Sequence, residues 1–218
     1  MFLKLVMKFV FAAIVLYAAI YPALNFSELK PKPTITTNQS AVVADRTPFP
    51  DFSKYVDVKQ KKAAFFAYLA PHVKQINSEL AQQRQFILGL DQFPTEAKEA
   101  KKLVKMAKKF YLEEDLEFSD MKRLLLLRVD ELPIELVLMQ AAIESAWGTS
   151  RFALDANNLF GQWCFRKGCG IVPSGRPAGE KYEVRKFKHP VDSIRSYYNN
   201  LNTGYAYKEL RKIRLNLR

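Results

Sequence analysis

Cysteine and histidine are scarce in this chain of 218 residues, which contains two of each. Cys164 and Cys169 lie close together, whereas His72 and His189 are distant from them and from each other. Structural zinc sites need about four such ligands at short, regular spacings. No such spacing occurs here, so the sequence predicts no metal centre, and we expect no cofactor.

Glycine and negative charge are also limited. Eight glycines and eleven prolines are too few for a fibrous or wholly disordered chain. Lys and Arg number 34 against 22 Asp and Glu, which gives a net charge of +12. An excess of this size suits anionic partners such as a lipid surface or an acidic polymer, although a generally basic soluble protein has the same composition. The basic residues form no run of five and no zinc-finger or RNP-like motif, so we expect no nucleic-acid partner.

An apolar run, FVFAAIVLYAAIYPAL at residues 9–24, follows Lys4 and Lys8 near the N-terminus. This order is typical of a secretory signal or a signal-anchor, with the lysines kept on the cytoplasmic side. No small-x-small cleavage site follows, so we expect residues 1–25 to be an uncleaved membrane anchor. A removed signal peptide and a buried cytosolic helix are the alternatives. Residues 26–53, rich in Pro, Thr, Ser and Asn, are expected to form an extended linker.

Residues 54–218 have the pattern of a single, mostly helical domain. Apolar residues recur at steps of three and four through 54–90, 94–112 and 119–132, which predicts three helices. Pro71 is expected to kink the first helix or to divide it. The second helix is rich in lysine, which we interpret as a solvated face rather than a membrane-binding surface.

Capping residues mark the next helix boundaries. Ser119 or Asp120 is expected to cap the third helix, and Pro133 is expected at the first position of a fourth, which Gly148 ends. This fourth segment, PIELVLMQAAIESAW at 133–147, has no continuous polar face. The pattern predicts a helix inside the domain.

The last third of the chain changes composition, because Gly and Pro now separate short segments. Residues 170–173 and 182–187 predict two strands of a hairpin joined by SGRPAGEK, and a final helix begins at Pro190. Cys164 and Cys169 would close a tight disulfide loop in an oxidising compartment, with two free thiols as the alternative. The expected fold is mostly α (α+β), with one small β-hairpin lobe.

Glu144 stands out near the end of the apolar fourth helix. Its neighbours and the negative end of the helix dipole both disfavour an ionised carboxylate. Glu144 is therefore predicted to be partly buried and to hold a proton for transfer, as a general acid does. The alternative is a structural glutamate that pairs with Arg151 or bonds to the loop at Asn157 and Asn158.

The segment AAIESAWGTSRFALDANNLFG, residues 141–161, resembles the signature of the bacterial glucosaminidase family, glycoside hydrolase family 73, which includes flagellar-rod and autolysin-type enzymes. The matching elements are a helix ending in ESxWG, then SxFA, then NNLFG, and the resemblance extends over residues 125–210. WCFRKGCGIVPSGR, YEVRKF and NLNTGYAYKELRKIR resemble the Bax-like subgroup. Because chains of that subgroup extend beyond this last segment, an unfinished groove or an inactive protein stays open as an alternative.

This resemblance implies a lysozyme-like fold, in which an α lobe and a small β lobe border a groove. It implies that Glu144 is the general acid and that Glu183, or otherwise Glu180, is a second carboxylate. Water activation by that carboxylate and assistance from the substrate's acetamido group both remain open. Tyr197 matches a tyrosine that the family places at the cleft, with core packing as the alternative.

Sugar contacts are expected from one group of side chains: Trp147, Asn158, Phe160, Trp163 and Tyr207. Aromatic rings suit this role because the C–H face of a sugar is apolar. The alternative for Asn158 and Phe160 is a purely structural role in the turn. For Tyr207 it is core packing, and for Trp147 it is an apolar wall beside Glu144.

The expected function is that of an endo-β-N-acetylglucosaminidase that cleaves the β-1,4 bond after N-acetylglucosamine in peptidoglycan glycan strands. The expected location is the inner membrane, facing the periplasm, or outside the membrane after removal of a signal. A non-catalytic peptidoglycan-binding scaffold and a lytic transglycosylase are the alternatives.

Overall fold

A computed structural model describes residues 49–218 of the chain. The predicted anchor at 1–25 and most of the predicted linker at 26–53 therefore lie outside the described residues. Within 49–218, no helix combines the length and the apolar character needed to cross a membrane.

Seven α-helices and three short strands make up the described part of the chain, together with 3-10 turns at Phe52–Lys54 and Tyr205–Tyr207. The fold is thus mostly α with a small sheet, as the sequence predicts. The helices are α1 (Val58–Leu88), α2 (Ala97–Lys109), α3 (Phe118–Arg128), α4 (Ile134–Glu144), α5 (Arg151–Ala156), α6 (Pro190–Thr203) and α7 (Lys208–Asn216).

Helix α1 is the central element, and it packs against α3, α4 and α6. Its N-terminus is capped by Asp57, whose side chain accepts the N–H of Gln60, and Gly89 follows its last residue. Its buried apolar side chains lie mostly three or four residues apart and form one continuous face: Phe65, Leu69, Val73, Ile76, Leu80 and Ile87. Pro71 lies inside this helix and does not divide it, because burial along the shared face outweighs the one backbone hydrogen bond that proline lacks.

The predicted boundaries of α3 and α4 need correction. Helix α3 begins two or three residues earlier than expected, with Glu117 at the N-cap position in place of Ser119 or Asp120. Helix α4 has Pro133 as its N-cap rather than its first residue, and it ends at Glu144, before the predicted stop at Gly148.

The prediction that α4 lies inside the domain is also wrong. Its buried residues are Val137, Ala141 and Ala142, whereas Met139 and Ile143 are 46% and 66% exposed. A helix without a polar face need not be covered on all sides, and α4 is covered mainly where it meets α1. On the exposed side of α4, Met139 and Ile143 face the surface, and Glu144 follows them as the last residue of the helix.

Three antiparallel strands form the β lobe, in the spatial order β1-β3-β2. They are β1 (Trp163–Cys164), β2 (Gly170–Ile171) and β3 (Glu183–Arg185). The predicted hairpin is confirmed with shorter strands, and β1, on the other edge of β3, was missed because two residues give no alternating pattern. The predicted disulfide is present, and it joins β1 to the start of β2 through Cys164 and Cys169.

The C-terminal helix is held by a buried carboxylate. Asp130, which is 1% exposed, lies 3.0 Å from Arg214 Nε and 2.5 Å from Arg218 Nη2. Arg84, on α1, lies 3.9 Å from the same carboxylate. These pairs attach α7 to the loop that precedes α4.

Candidate active site

Glu144 is the last residue of α4, and its side chain is exposed. The prediction of a partly buried carboxylate is therefore wrong for the free protein. The cause is the open side of α4: the residues before Glu144 are apolar, but they do not cover it. Its place at the surface, at the end of a helix packed on the core, leaves the carboxylate accessible to a ligand.

The ESxWG motif builds the sharp turn that follows Glu144. Ser145 is fully buried; its Oγ donates to Ala141 O at 2.6 Å and accepts the N–H of Gly148 at 2.8 Å. Ala146 and Trp147 have φ values of 50° and 58°, a left-handed conformation that costs free energy for residues with a side chain. Strain of this kind persists only where the surroundings enforce it, and here it fixes the direction in which the chain leaves Glu144.

Trp147 anchors this turn to α1. Its ring lies 5.8 Å from Phe65 and 5.3 Å from Phe66, both edge to face, and Lys62 Nζ lies 4.8 Å from its centroid. These contacts favour the structural alternative over the predicted contact with sugar.

The NNLFG motif forms a second turn, opposite the first. Asn157 ends α5 with φ 52°. Asn158, 1% exposed, donates to Gln162 O and Arg185 O at 2.8 and 2.9 Å and accepts the N–H of Gln162 at 3.0 Å. Asn158 thus holds the turn against β3, which favours its structural alternative over a direct contact with substrate.

The two turns meet at Gly161 and Glu144. A Cβ atom placed on Gly161 would lie 3.8 Å from Glu144 Oε2, so the carboxylate lies over the backbone of this glycine. The conformation of Gly161, φ +62°, also favours a residue without a side chain. The motif's final glycine therefore leaves room directly in front of the carboxylate.

Tyr197 and Phe160 border this space. Their rings stack with centroids 4.2 Å apart and planes inclined by 12°. Burial, followed by the neighbouring Tyr207 and Glu144, raises the pKa of Tyr197 to about 12. The phenol therefore keeps its proton at neutral pH, so Tyr197 can donate a hydrogen bond and does not serve as a base. Tyr207 is half-buried and packs against the core.

An open cavity of about 440 Å³ continues this surface beyond Gly161. Trp163 and Phe165, 55% and 75% exposed, form its apolar edge, and Trp163 stacks on Tyr182 with centroids 4.4 Å apart. Its other lining groups are mainly hydroxyls and amides: Tyr111, Gln162, Ser196, Asn199, Asn200 and Thr203. Aromatic edges with polar walls suit a sugar chain, which presents apolar C–H faces and polar hydroxyl and amide groups.

Glu183 and Glu180 occupy different environments in the β lobe. Glu183 is 5% exposed, and its Oε1 and Oε2 accept the N–H groups of Gly168 and Gly170 at 2.9 and 2.8 Å. These two donors lower the pKa of Glu183 below its ordinary value. Both oxygens are used to hold the disulfide-closed loop, which favours a structural role. Glu180 is exposed, in the loop before β3.

Three possible metal ligands lie within 4.8 Å of one another: Cys164, Cys169 and Glu183. The two sulfurs are bonded to each other, and the carboxylate accepts backbone N–H groups. This set therefore offers no free ligand atom for a metal.

Two residues that hold the NNLFG turn in place, Ser193 and Gln162, were missed by the sequence analysis. Ser193 Oγ accepts the N–H of Leu159 at 3.0 Å and donates to Gln162 Oε1 at 3.1 Å. Together they join the NNLFG turn to the first turns of α6. No local pattern marks them, because their partners are about thirty residues away in the chain.

Comparison with known proteins indicates the same family as the motif at residues 141–161. Residues 126–216 match the family model described as mannosyl-glycoprotein endo-beta-N-acetylglucosaminidase, called Glucosaminidase. This segment is therefore similar to the glucosaminidase family, as its motif predicts. The chain is also similar to the protein bax of Escherichia coli (strain K12), with 32% identity over 181 residues that cover 80% of this chain and 63% of that protein. No solved structure gives a significant match.

Proposed function

We propose that this protein is a peptidoglycan-cleaving glycosidase in which Glu144 acts as the general acid. The observation that carries this proposal is the exposed carboxylate of Glu144, held over Gly161 and beside the phenol of Tyr197. The site continues into the cavity edged by Trp163. The similarity of residues 126–216 to the glucosaminidase family supports the same class of substrate.

Glu144 would donate its proton to the oxygen of the bond after N-acetylglucosamine as the C–O bond breaks. In the free protein the side chain is open to water. A glycan strand over Gly161 would displace this water and favour the protonated form, which is the form that can donate. Tyr197, which keeps its proton, would hydrogen-bond to the sugar or to Glu144.

Two routes could supply the second group that the reaction needs besides Glu144. Because Glu183 is held by two backbone N–H groups, Glu180 is the better candidate for a second carboxylate if the loop before β3 closes over the substrate. The other route needs one glutamate only: the substrate's own acetamido oxygen attacks C1, and water then opens the resulting ring. We favour this route because the only protein carboxylate that it needs is Glu144, which is exposed at the site.

The proposed substrate lies outside the cytoplasmic membrane, where disulfides such as Cys164–Cys169 persist. We propose that residues 1–25 direct the protein there and retain it at the inner membrane. The net charge of +12 would attract the protein to the anionic wall.

The test is the variant Glu144→Gln, assayed on purified sacculi. Loss of a general acid is expected to slow release of new reducing ends by about a hundredfold to ten-thousandfold, with the fold unchanged by circular dichroism. Glu135→Gln, at the other end of α4, is the matched control and should keep full activity. Equal activity of Glu144→Gln and wild type would exclude the proposed role.

A lytic transglycosylase is the second candidate, because a single available glutamate also serves that reaction. The reaction products distinguish a hydrolase from a lytic transglycosylase. Mass spectrometry should find N-acetylglucosamine at the new reducing end; an anhydro-muramic end would establish the transglycosylase instead. Wild type that binds sacculi without releasing any sugar would establish a binding protein.

A further inference from the structure

A second cavity, of about 100 Å³, lies between α1, the end of α2 and α6. The proposed chemistry does not use it. Asn199 lines both this cavity and the larger one beside Trp163, so the two are neighbours on one surface. The smaller cavity is therefore within reach of a group that branches from a strand in the larger one.

Charged side chains give this cavity a positive character. The two terminal nitrogens of the Arg195 guanidinium donate to the carboxylate of Glu79, at 2.5 and 2.8 Å. Lys109 adds a further positive charge, and within residues 49–218 its ammonium has no ion pair or hydrogen bond. Lys109 is exposed as a residue. Desolvation of its ammonium, followed by the charge of Arg195, lowers the pKa of Lys109, and the carboxylate of Glu79 opposes this shift. An anion beside Lys109 would relieve this cost.

An acceptor without a donor lies in the same cavity. Gln83 Oε1 is buried and has no hydrogen-bond partner in the described part of the chain. Buried polar atoms are nearly always paired, so an isolated one points to a missing partner. A ligand N–H would supply it. The cavity thus offers a cation and an acceptor, flanked by the apolar side chains of Ile76 and Leu80.

We propose that this cavity binds the carboxylate end of a peptide stem on the glycan, with the carboxylate at Lys109 and the adjacent amide N–H at Gln83. The C-terminal residue of a peptide presents these two groups on either side of one carbon atom. A short side chain such as a methyl group would contact Ile76 and Leu80. The inference rests on the proposed function, because the stem is brought there by the glycan strand.

The experiment measures binding without turnover, in the full chain carrying Glu144→Gln. The two probes are the N-acetylglucosamine–N-acetylmuramic acid disaccharide with its stem tetrapeptide, and the same disaccharide without the stem. Calorimetry should show that the stem strengthens binding by about tenfold, the effect of one charge-assisted hydrogen bond. Lys109→Gln should remove this advantage and leave the affinity for the bare disaccharide unchanged.

Lys105→Gln is the matched control, since Lys105 is exposed on the same helix and does not line the cavity. It should keep the full advantage of the stem. Gln83→Leu, which removes the buried acceptor, should lower the advantage in part and serves as the second variant.

Equal affinity for the two probes, or an unchanged advantage in Lys109→Gln, would overturn the stem site. These outcomes are independent of catalysis. A protein that binds the stem but releases no sugar keeps this site and loses the proposed activity. One that cleaves stem-free glycan and binds both probes equally keeps the activity and loses the site.

Discussion

The helical body and the β lobe are stabilised in different ways. Fully buried aromatic and aliphatic side chains fill the body, among them Phe52, Phe65 and Leu125. Between residues 161 and 188, the buried apolar side chains are Val184 and Phe187 alone. The hydrophobic effect scales with buried apolar area, so it stabilises the body far more than the lobe.

Polar and covalent links take its place in the β lobe. A disulfide closes the loop between β1 and β2, Glu183 accepts two N–H groups of that loop, and Trp163 stacks on Tyr182. Regions with few buried apolar contacts open locally at low cost. The body thus fixes the position of Glu144, whereas the lobe borders the cavity beside Trp163 with a segment that can open locally.

The largest effect is expected where the body meets the active-site turn, at Gly148. This residue has φ +76°, and an added Cβ would lie 2.6 Å from Phe52 Cδ2. Gly148→Ala should lower the free energy of unfolding by about 2–4 kcal/mol, from left-handed strain and overpacking together. Chemical denaturation measures this loss.

The matched control is Gly175→Ala in the β lobe, where an added Cβ meets nothing within 4 Å. It should leave stability unchanged to within about 0.5 kcal/mol. A similar loss in both variants would mean that body and lobe do not differ in the way described here.

The sequence predicted the features of the site that depend on local order. The ESxWG and NNLFG motifs carried the resemblance that singled out Glu144, the close cysteines suggested the disulfide, and short segments separated by Gly and Pro suggested the hairpin. Local chemistry contributes to these because Ser145 bonds to Ala141 and Gly148, and Asn158 bonds twice to Gln162, four residues further on.

The features that sequence reasoning missed depend on contacts distant in the chain. The exposure of Glu144 follows from which side of α4 meets α1, and an apolar helix gives no signal for this. The link from Ser193 to the NNLFG turn, and the pairing of β1 with β3, join segments about twenty to thirty residues apart. The resemblance and the predicted strand indicate Glu183 as a second carboxylate, and no pattern in the sequence signals the loop amides that it binds.

An intermediate effect is expected from loss of the disulfide in the β lobe. Replacing Cys164 and Cys169 together by serine should destabilise the lobe by roughly 2 kcal/mol, the chain entropy of so short a loop. The two tryptophans report separately, Trp147 on the body and Trp163 on the lobe. In NMR spectra, the indole N–H of Trp163 should broaden or shift, while that of Trp147 should remain unchanged.

Reduction of the wild-type disulfide should give the same pattern and reverse on reoxidation. If the signal of Trp147 changed as much as that of Trp163, the lobe would be a cooperative part of the body rather than a separately held segment.

The smallest expected effect is a loss of stability of the β lobe at acidic pH. The N–H groups of Gly168 and Gly170 lower the pKa of Glu183 below its ordinary value of 4.5. A group with a lowered pKa in the folded state stabilises the fold above its unfolded pKa, and this stability is lost as the pH falls through the folded value. The amides of Gly168 and Gly170 should therefore exchange with solvent more readily relative to those of α1 as the pH falls below about 4.5.

Glu183→Gln should weaken their protection at neutral pH and remove this acid step. Glu180→Gln, an exposed change in the same lobe, should retain the step; if the step were also retained in Glu183→Gln, another carboxylate would be its source.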